Sequence, residues 1–135
     1  MKDLSYYKSK RFAYTTIVAA IFITTVFYFG MKDPKVIVAH GKFEVKGIYG
    51  FIADIKNLKV DTVSSLPEIS MRTNGFAGGG VLKGKFTLTN DEKVLLFARR
   101  HSQPFIRIMG SGERTVYISY KDPDQTRTLF NKLKP

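Results

Sequence analysis

Apolar residues run unbroken by charge from Phe12 to Met31, FAYTTIVAAIFITTVFYFGM, twenty residues without Asp, Glu, Lys or Arg. As a helix this stretch rises ~30 Å, the thickness of a bilayer's hydrocarbon core. Its polar interruptions are Thr15, Thr16, Thr24 and Thr25, whose hydroxyls can bond back to helix carbonyls. Tyr6, Tyr7, Phe12 and Tyr14 gather at one end and Phe27, Tyr28 and Phe29 at the other, as interfacial anchoring requires. Gly30 and Pro34 then stop the helix. A helix apolar all round has no solvent face, which argues against a core helix of a soluble domain. The run also exceeds the ~7–15 apolar residues of a cleaved signal core. The pattern predicts a basic tail over residues 1–11, a retained transmembrane helix over 12–31 and a domain over 36–135.

From Val36 the period changes to two. Phe43 and Val45 alternate with Lys42, Glu44 and Lys46; Leu58, Val60 and Thr62 alternate with Lys59 and Asp61. Phe86 and Leu88 oppose Lys85, Thr87 and Thr89, and the runs around Ile106–Ile108 and Val116–Tyr120 alternate likewise. Such alternation predicts half-buried antiparallel strands. Turn signals separate them at His40-Gly41, Leu66-Pro67, Asn74-Gly75, Asn90-Asp91, Gln103-Pro104 and Gly110-Ser111-Gly112. Val94 to Ala98, VLLFA, is apolar on both faces and is expected in a sheet's interior. At the end, Asp122 as cap, Pro123 in the first turn and Thr126, Leu129, Phe130 and Leu133 at helical spacing predict an amphipathic helix. That helix needs a sheet to cover, so the expected fold is mainly β, a small barrel or sandwich capped by one carboxyl-terminal helix.

An ordered set of short motifs adds to this picture: Gly47-Ile48-Tyr49-Gly50, Asp54-Ile55, Leu66-Pro67, Arg72-Thr73-Asn74-Gly75-Phe76, Gly84-Lys85-Phe86, Leu96-Phe97, Pro104-Phe105-Ile106 and a closing Asp-x-x-x-Thr-x-x-Leu-Phe from Asp122 to Phe130. From about Gly47 to Leu133 the chain resembles the bacterial pleckstrin-homology domain family. The resemblance implies a pleckstrin-homology-like antiparallel barrel plugged by the terminal helix, an interaction module with no enzyme activity and no cofactor. Family members carry apolar spans ahead of the domain, often more than one; this sequence has one.

Composition narrows the chemistry. Lys and Arg number 22 against 11 Asp and Glu, giving +11, and there is no Cys. Disulfide scaffolds, thiol catalysis and cysteine zinc sites are thereby excluded. The charge divides unevenly. Residues 1–35 hold six Lys/Arg against two Asp/Glu, bracketing the apolar run, and the remaining sixteen against nine are spread over strands and turns. Residues 1–11 carry four Lys/Arg, denser than Lys32, Lys35, Lys42 and Lys46 beyond the span, which favours a cytoplasmic amino terminus and an external domain in a bacterial cell membrane.

No nucleophile–base–acid set emerges. His40 and His101 read as turn residues, and Asp91-Glu92 and Asp122/Asp124 as turn and cap acids. Gly79 to Lys85 fits G-x-x-x-x-G-K, but Phe86 stands where a phosphate loop needs Ser or Thr, and a strand follows where a helix should. Two groups remain as candidate binding residues. Arg72 and Asn74 lie in what reads as a glycine-rich loop ending at Gly80, and Arg99, Arg100, Phe105 and Arg107 flank one expected hairpin as a basic patch. Their expected partner is a protein or peptide, or an anionic lipid headgroup at the membrane surface. Nucleic acid is the alternative for a basic β-barrel. Eight of the eighteen aromatics fall within the first 29 residues, which counts against it.

Overall fold

The computed structural model describes residues 4–110 and 114–134; the Gly110-Ser111-Gly112 turn signal falls largely outside them. The chain divides into two units, Met1–Lys32 and Asp33–Pro135. The first is a single helix, α1 (Leu4–Gly30), which begins well before Phe12, so the basic residues from Lys8 to Arg11 are helical too. The threonines are accommodated as the periodicity requires: Thr16 donates to Phe12 O, Thr24 to Ala20 O and Thr25 to Ile21 O, each at 2.8 Å. Lys10 sits 4.6 Å from the Tyr6 ring and Lys32 4.7 Å from the Tyr28 ring, cation–π pairs at both ends. The helix is long and apolar enough to cross a membrane.

The second unit is mainly β with a closing helix. A three-stranded meander comprises β1 (Val36–Ala39), β2 (Lys42–Val45) and β3 (Phe51–Asp54). His40 and Gly41 take φ of 52° and 71° in the tight turn between β1 and β2, the left-handed pair that a two-residue hairpin needs. A six-stranded sheet comprises β4 (Lys59–Val63), β5 (Ile69–Gly78), β6 (Val81–Leu88), β7 (Lys93–Arg99), β8 (Phe105–Met109) and β9 (Thr115–Ile118), in the order β4-β8-β9-β7-β6-β5. Helix α2 (Pro123–Leu133) closes the domain, with the Asp122 carboxylate accepting from Asp124 N at 2.9 Å.

One expectation is corrected by the pairing. The sheet is not wholly antiparallel, because β7 and β9 pair in parallel, Val94↔Thr115 through Phe97↔Ile118. Strand β8 pairs only with β4 and β9 and leaves a one-strand gap beside β7. Strand β9 returns antiparallel to β8 and fills that gap, so its direction matches that of β7. The glycine-rich loop is also corrected. Arg72 to Gly78 belongs to strand β5, with register shifts at Ile69/Met71 and Arg72/Asn74, and only Gly79 and Gly80 make the turn.

Period-two alternation divides the core between the faces of the large sheet. On one face, Leu95, Phe97, Ile106, Ile108, Val116 and Ile118 pack with Phe43 and Val45 of the meander and with Leu129 and Leu133 of α2. On the other, Leu82, Phe86, Leu88, Val94, Leu96 and Tyr117 are covered by Val63, Leu66 and Ile69. These last three lie on or beside the short connection between β4 and β5, the two outermost strands. Six strands laid flat span about 24 Å, whereas the six steps from Val63 to Ile69 reach about 20 Å at full extension. The sheet is therefore rolled toward this connection. Strand β7, buried along both faces, lies inside the sheet as VLLFA predicts.

The β5–β6 pair contains a close approach. Gly75 faces Gly84, and a Cβ on Gly84 would lie 2.5 Å from Asn74 O and 2.7 Å from Gly75 Cα. The Tyr49 ring covers the spot, 3.1 Å from that Cβ position, while its hydroxyl donates to Asn74 Oδ1 at 2.9 Å. Gly84 also holds φ +118°, a conformation costly for other residues. Gly84→Ala is expected to destabilise the domain by about 2–4 kcal/mol, measured by denaturant unfolding of the full chain in detergent. Tyr49→Phe, losing one exposed hydrogen bond, should cost about 0.5–1 kcal/mol.

Candidate functional site

The end of the domain at which the chain arrives is built around Asp33. Its Oδ1 accepts from Arg99 Nε at 2.8 Å and its Oδ2 from Lys121 N at 3.2 Å, tying the entering segment to the ends of β7 and β9. The pair is mostly shielded, with side-chain exposures of 18% for Arg99 and 29% for Asp33. Two further groups sense the carboxylate. Burial lowers the Lys83 pKa against the attraction of Asp33, and burial, reinforced by Asp33, pushes the Tyr120 hydroxyl up to about 12. Two residues on, Lys35 O accepts from Lys46 N at 2.9 Å, which starts the β1–β2 ladder. Arg100 follows the end of β7, and its N–H donates to Gly80 O at 2.9 Å. The entry end thus gathers the exposed bases Lys35, Lys46, Arg100 and Lys121. The acids among them are engaged, Asp33 as described and Glu44 by Lys46.

The six sequence candidates separate under this geometry. Arg99 is held by Asp33 and positions the entering chain. Arg100 is exposed at the entry end. Phe105 is 1% exposed, a core side chain rather than a contact surface. Arg107 lies on the opposite sheet face from Arg99 and is ion-paired with Asp61, directly across the β4–β8 ladder. One Arg107–Asp61 contact, from Nε to Oδ1, measures 2.8 Å. That bond holds the Asp61 carboxyl below its usual range and raises the guanidinium. The expected patch around the β7–β8 connection is therefore split between two faces. Arg72 is exposed on the edge strand β5 opposite Phe86, and Asn74 receives the Tyr49 hydroxyl. Neither sits in a ligand-gripping loop.

Above Phe105 the rolled sheet opens into a cleft of about 360 Å³, where Arg100, His101 and Gln103 face Leu66 and Glu68 of the β4–β5 connection. Its lining is mixed, with Glu68, Arg100, His101 and Gln103 beside Leu66, Leu82 and Phe105. Among the described residues no group of three His, Cys, Asp or Glu side chains is placed to hold a metal ion. Sequence reasoning passed over Asp33, a lone acid between Lys32 and Pro34; its one local signal is its place in so short a linker. No family model, curated protein or solved structure matches this chain.

Two measurements test these ion pairs. Asp33→Ala removes both bonds and leaves Arg99 without its carboxylate, so a loss of about 1–3 kcal/mol is expected. The Asp61–Arg107 pair is over one-third exposed on each side, which limits it to about 0.5–1 kcal/mol after solvent screening. Because the folded pKa of Asp61 is lowered, its contribution is present above the unfolded value of about 3.9 and is lost as pH falls through the folded value. Asp61→Asn should flatten the acid limb of a stability–pH curve below about pH 4 and leave its alkaline limb unchanged.

Proposed function

We propose that this chain is a single-pass, membrane-anchored interaction module of the bacterial pleckstrin-homology type, without catalysis, whose entry end binds anionic lipid headgroups. One observation carries the reading: Lys35, Lys46, Arg100 and Lys121 are exposed at the end of the domain that the chain enters from the apolar helix. Near an anionic bilayer each such base contributes about 1 kcal/mol, Lys46 less than the others because Glu44 neutralises it. The helix-closed β domain agrees with the pleckstrin-like resemblance, and the parallel β7–β9 pair departs from it, so the reading rests on the charged end rather than on the family.

The tail's basic cluster favours the amino terminus in the cytoplasm and the domain outside a bacterial cell membrane. The same basic end on the cytoplasmic side would face the more anionic leaflet. Nucleic acid fits less well, because Phe43, Phe86, Phe97 and Phe105 are buried and leave few rings for base stacking.

Native mass spectrometry of the full chain in detergent, titrated with phosphatidylglycerol or phosphatidylcholine, tests the proposal. Preferential retention of phosphatidylglycerol is expected. Reversing Lys46, Arg100 and Lys121 to Glu together should abolish that preference. Equal retention of both lipids by the unaltered chain would overturn the lipid reading and shift attention to the cleft above Phe105 as a peptide site.

A further inference from the structure

Resting on the membrane-anchored reading above, we infer that the Gly47–Gly50 turn is a second membrane contact, with Ile48 inserting as an apolar wedge at the headgroup–acyl boundary. Ile48 is 95% exposed, the most exposed of the domain's large apolar side chains. Its exposure is imposed by structure. Gly50 N–H donates to Gly47 O at 2.9 Å, closing a four-residue turn with Ile48 and Tyr49 at its centre. Tyr49 is held by Asn74 and lies over Gly84, so the turn is fixed at its base. No Cβ can replace hydrogen at Gly50, where it would lie 2.2 Å from Val45 O. A wedge held this way loses little conformational entropy on insertion.

Position supplies the occupant. Lys46, two residues before Ile48, donates its N–H to Lys35, five residues past the end of α1. Five residues of chain reach at most about 18 Å, so the turn follows a strand end bonded to the segment by which the chain enters the domain. Ile52 and Ile37, 63% and 38% exposed, flank the Glu44–Lys46 ion pair in register on the meander's outer face, so further apolar side chains are exposed on the meander that carries the turn. Two exposed bases stand on the same side, Lys46 two residues before Ile48 and Lys35 hydrogen-bonded to Lys46 through the backbone, with Lys46 also ion-paired to Glu44. An apolar tip with lysines beside it suits a lipid interface better than a protein pocket, which would have to desolvate the ammonium groups.

The absence of native Cys allows a direct test on the full chain in nanodiscs of phosphatidylcholine and phosphatidylglycerol. An environment-sensitive fluorophore is attached singly at Val18→Cys, Ile48→Cys, Lys46→Cys or Thr89→Cys. Thr89 lies just past β6, whose eight residues put about 26 Å between it and the entry end. Blue-shifted emission, quenching by a shallow lipid-borne nitroxide and loss of iodide quenching are expected at Ile48 and Lys46, with Thr89 fully aqueous. Adding Ile48→Ser to the Lys46→Cys chain should return that probe to aqueous values, showing that the native isoleucine and not the dye drives insertion. As Ile48 packs against nothing, this variant should keep the parent's circular dichroism. A lipid-embedded Val18 probe with an iodide-accessible Ile48 probe would overturn the wedge while leaving the anchor intact. An aqueous Val18 probe would overturn the anchored reading itself, and the wedge with it.

Discussion

The short connection between Val63 and Ile69 is the constraint on which the domain depends. It joins the two outermost strands of a six-stranded sheet with less chain than the flat sheet would need. The sheet must roll, and rolling creates the second core cluster, in which Leu66 covers Phe86, Leu96 and Tyr117. It also sets the face on which Asp61 and Arg107 meet, and it opens the cleft where Arg100 and His101 stand over Phe105. The face turned away is left to the meander and α2, whose small apolar surfaces could not form a core without it.

Charge is organised by the same geometry. Most cations sit on strand faces and turns, where water screens them, but the ends of β7 and β9 bring Arg99 and the Lys121 backbone to one carboxylate. Asp33 thereby fixes the point at which the chain joins the sheet. Of the bases exposed at this end, Lys35 follows Asp33 by two residues and Lys121 is held to it through its backbone N–H. Of the positive charge that composition alone would assign to nucleic acid, four exposed bases stand at one end of the domain and the rest are spread along the chain.

Local patterns were legible in the sequence and distant partners were not. Phe43, Val45, Phe86 and Leu88 alternate as they pack, and Thr126, Leu129 and Leu133 form the buried stripe of α2, because strand and helix periods act over a few residues. Arg107 read as a free cation because Asp61 lies 46 residues away. Asn74-Gly75 read as a turn because the usual meaning of that pair is local, whereas here Tyr49, 25 residues earlier, supports the two residues within a strand. The parallel pairing of β7 with β9 was equally hidden, since it follows from where a later strand finds space. Of the candidate site, Arg100 was found for its charge; Asp33 and Ile48, which give the end its shape, matter through what surrounds them in space.

Strand β9 carries a consequence for the order of assembly. Strands β5, β6 and β7 form one meander and β4 pairs with β8, and among the described residues strand β9 (Thr115–Ile118) is the one that pairs with both groups. The sheet's interior is therefore completed by its last strand, with long sequence separations that make such pairing slow. During synthesis β4 emerges before its partner β8 and waits through β5, β6 and β7, and the sheet becomes one body only when Thr115–Ile118 have left the ribosome. Helix α1, more than eighty residues earlier, has by then long emerged. In the membrane-anchored reading proposed above, the tether is in place before the domain it holds is closed.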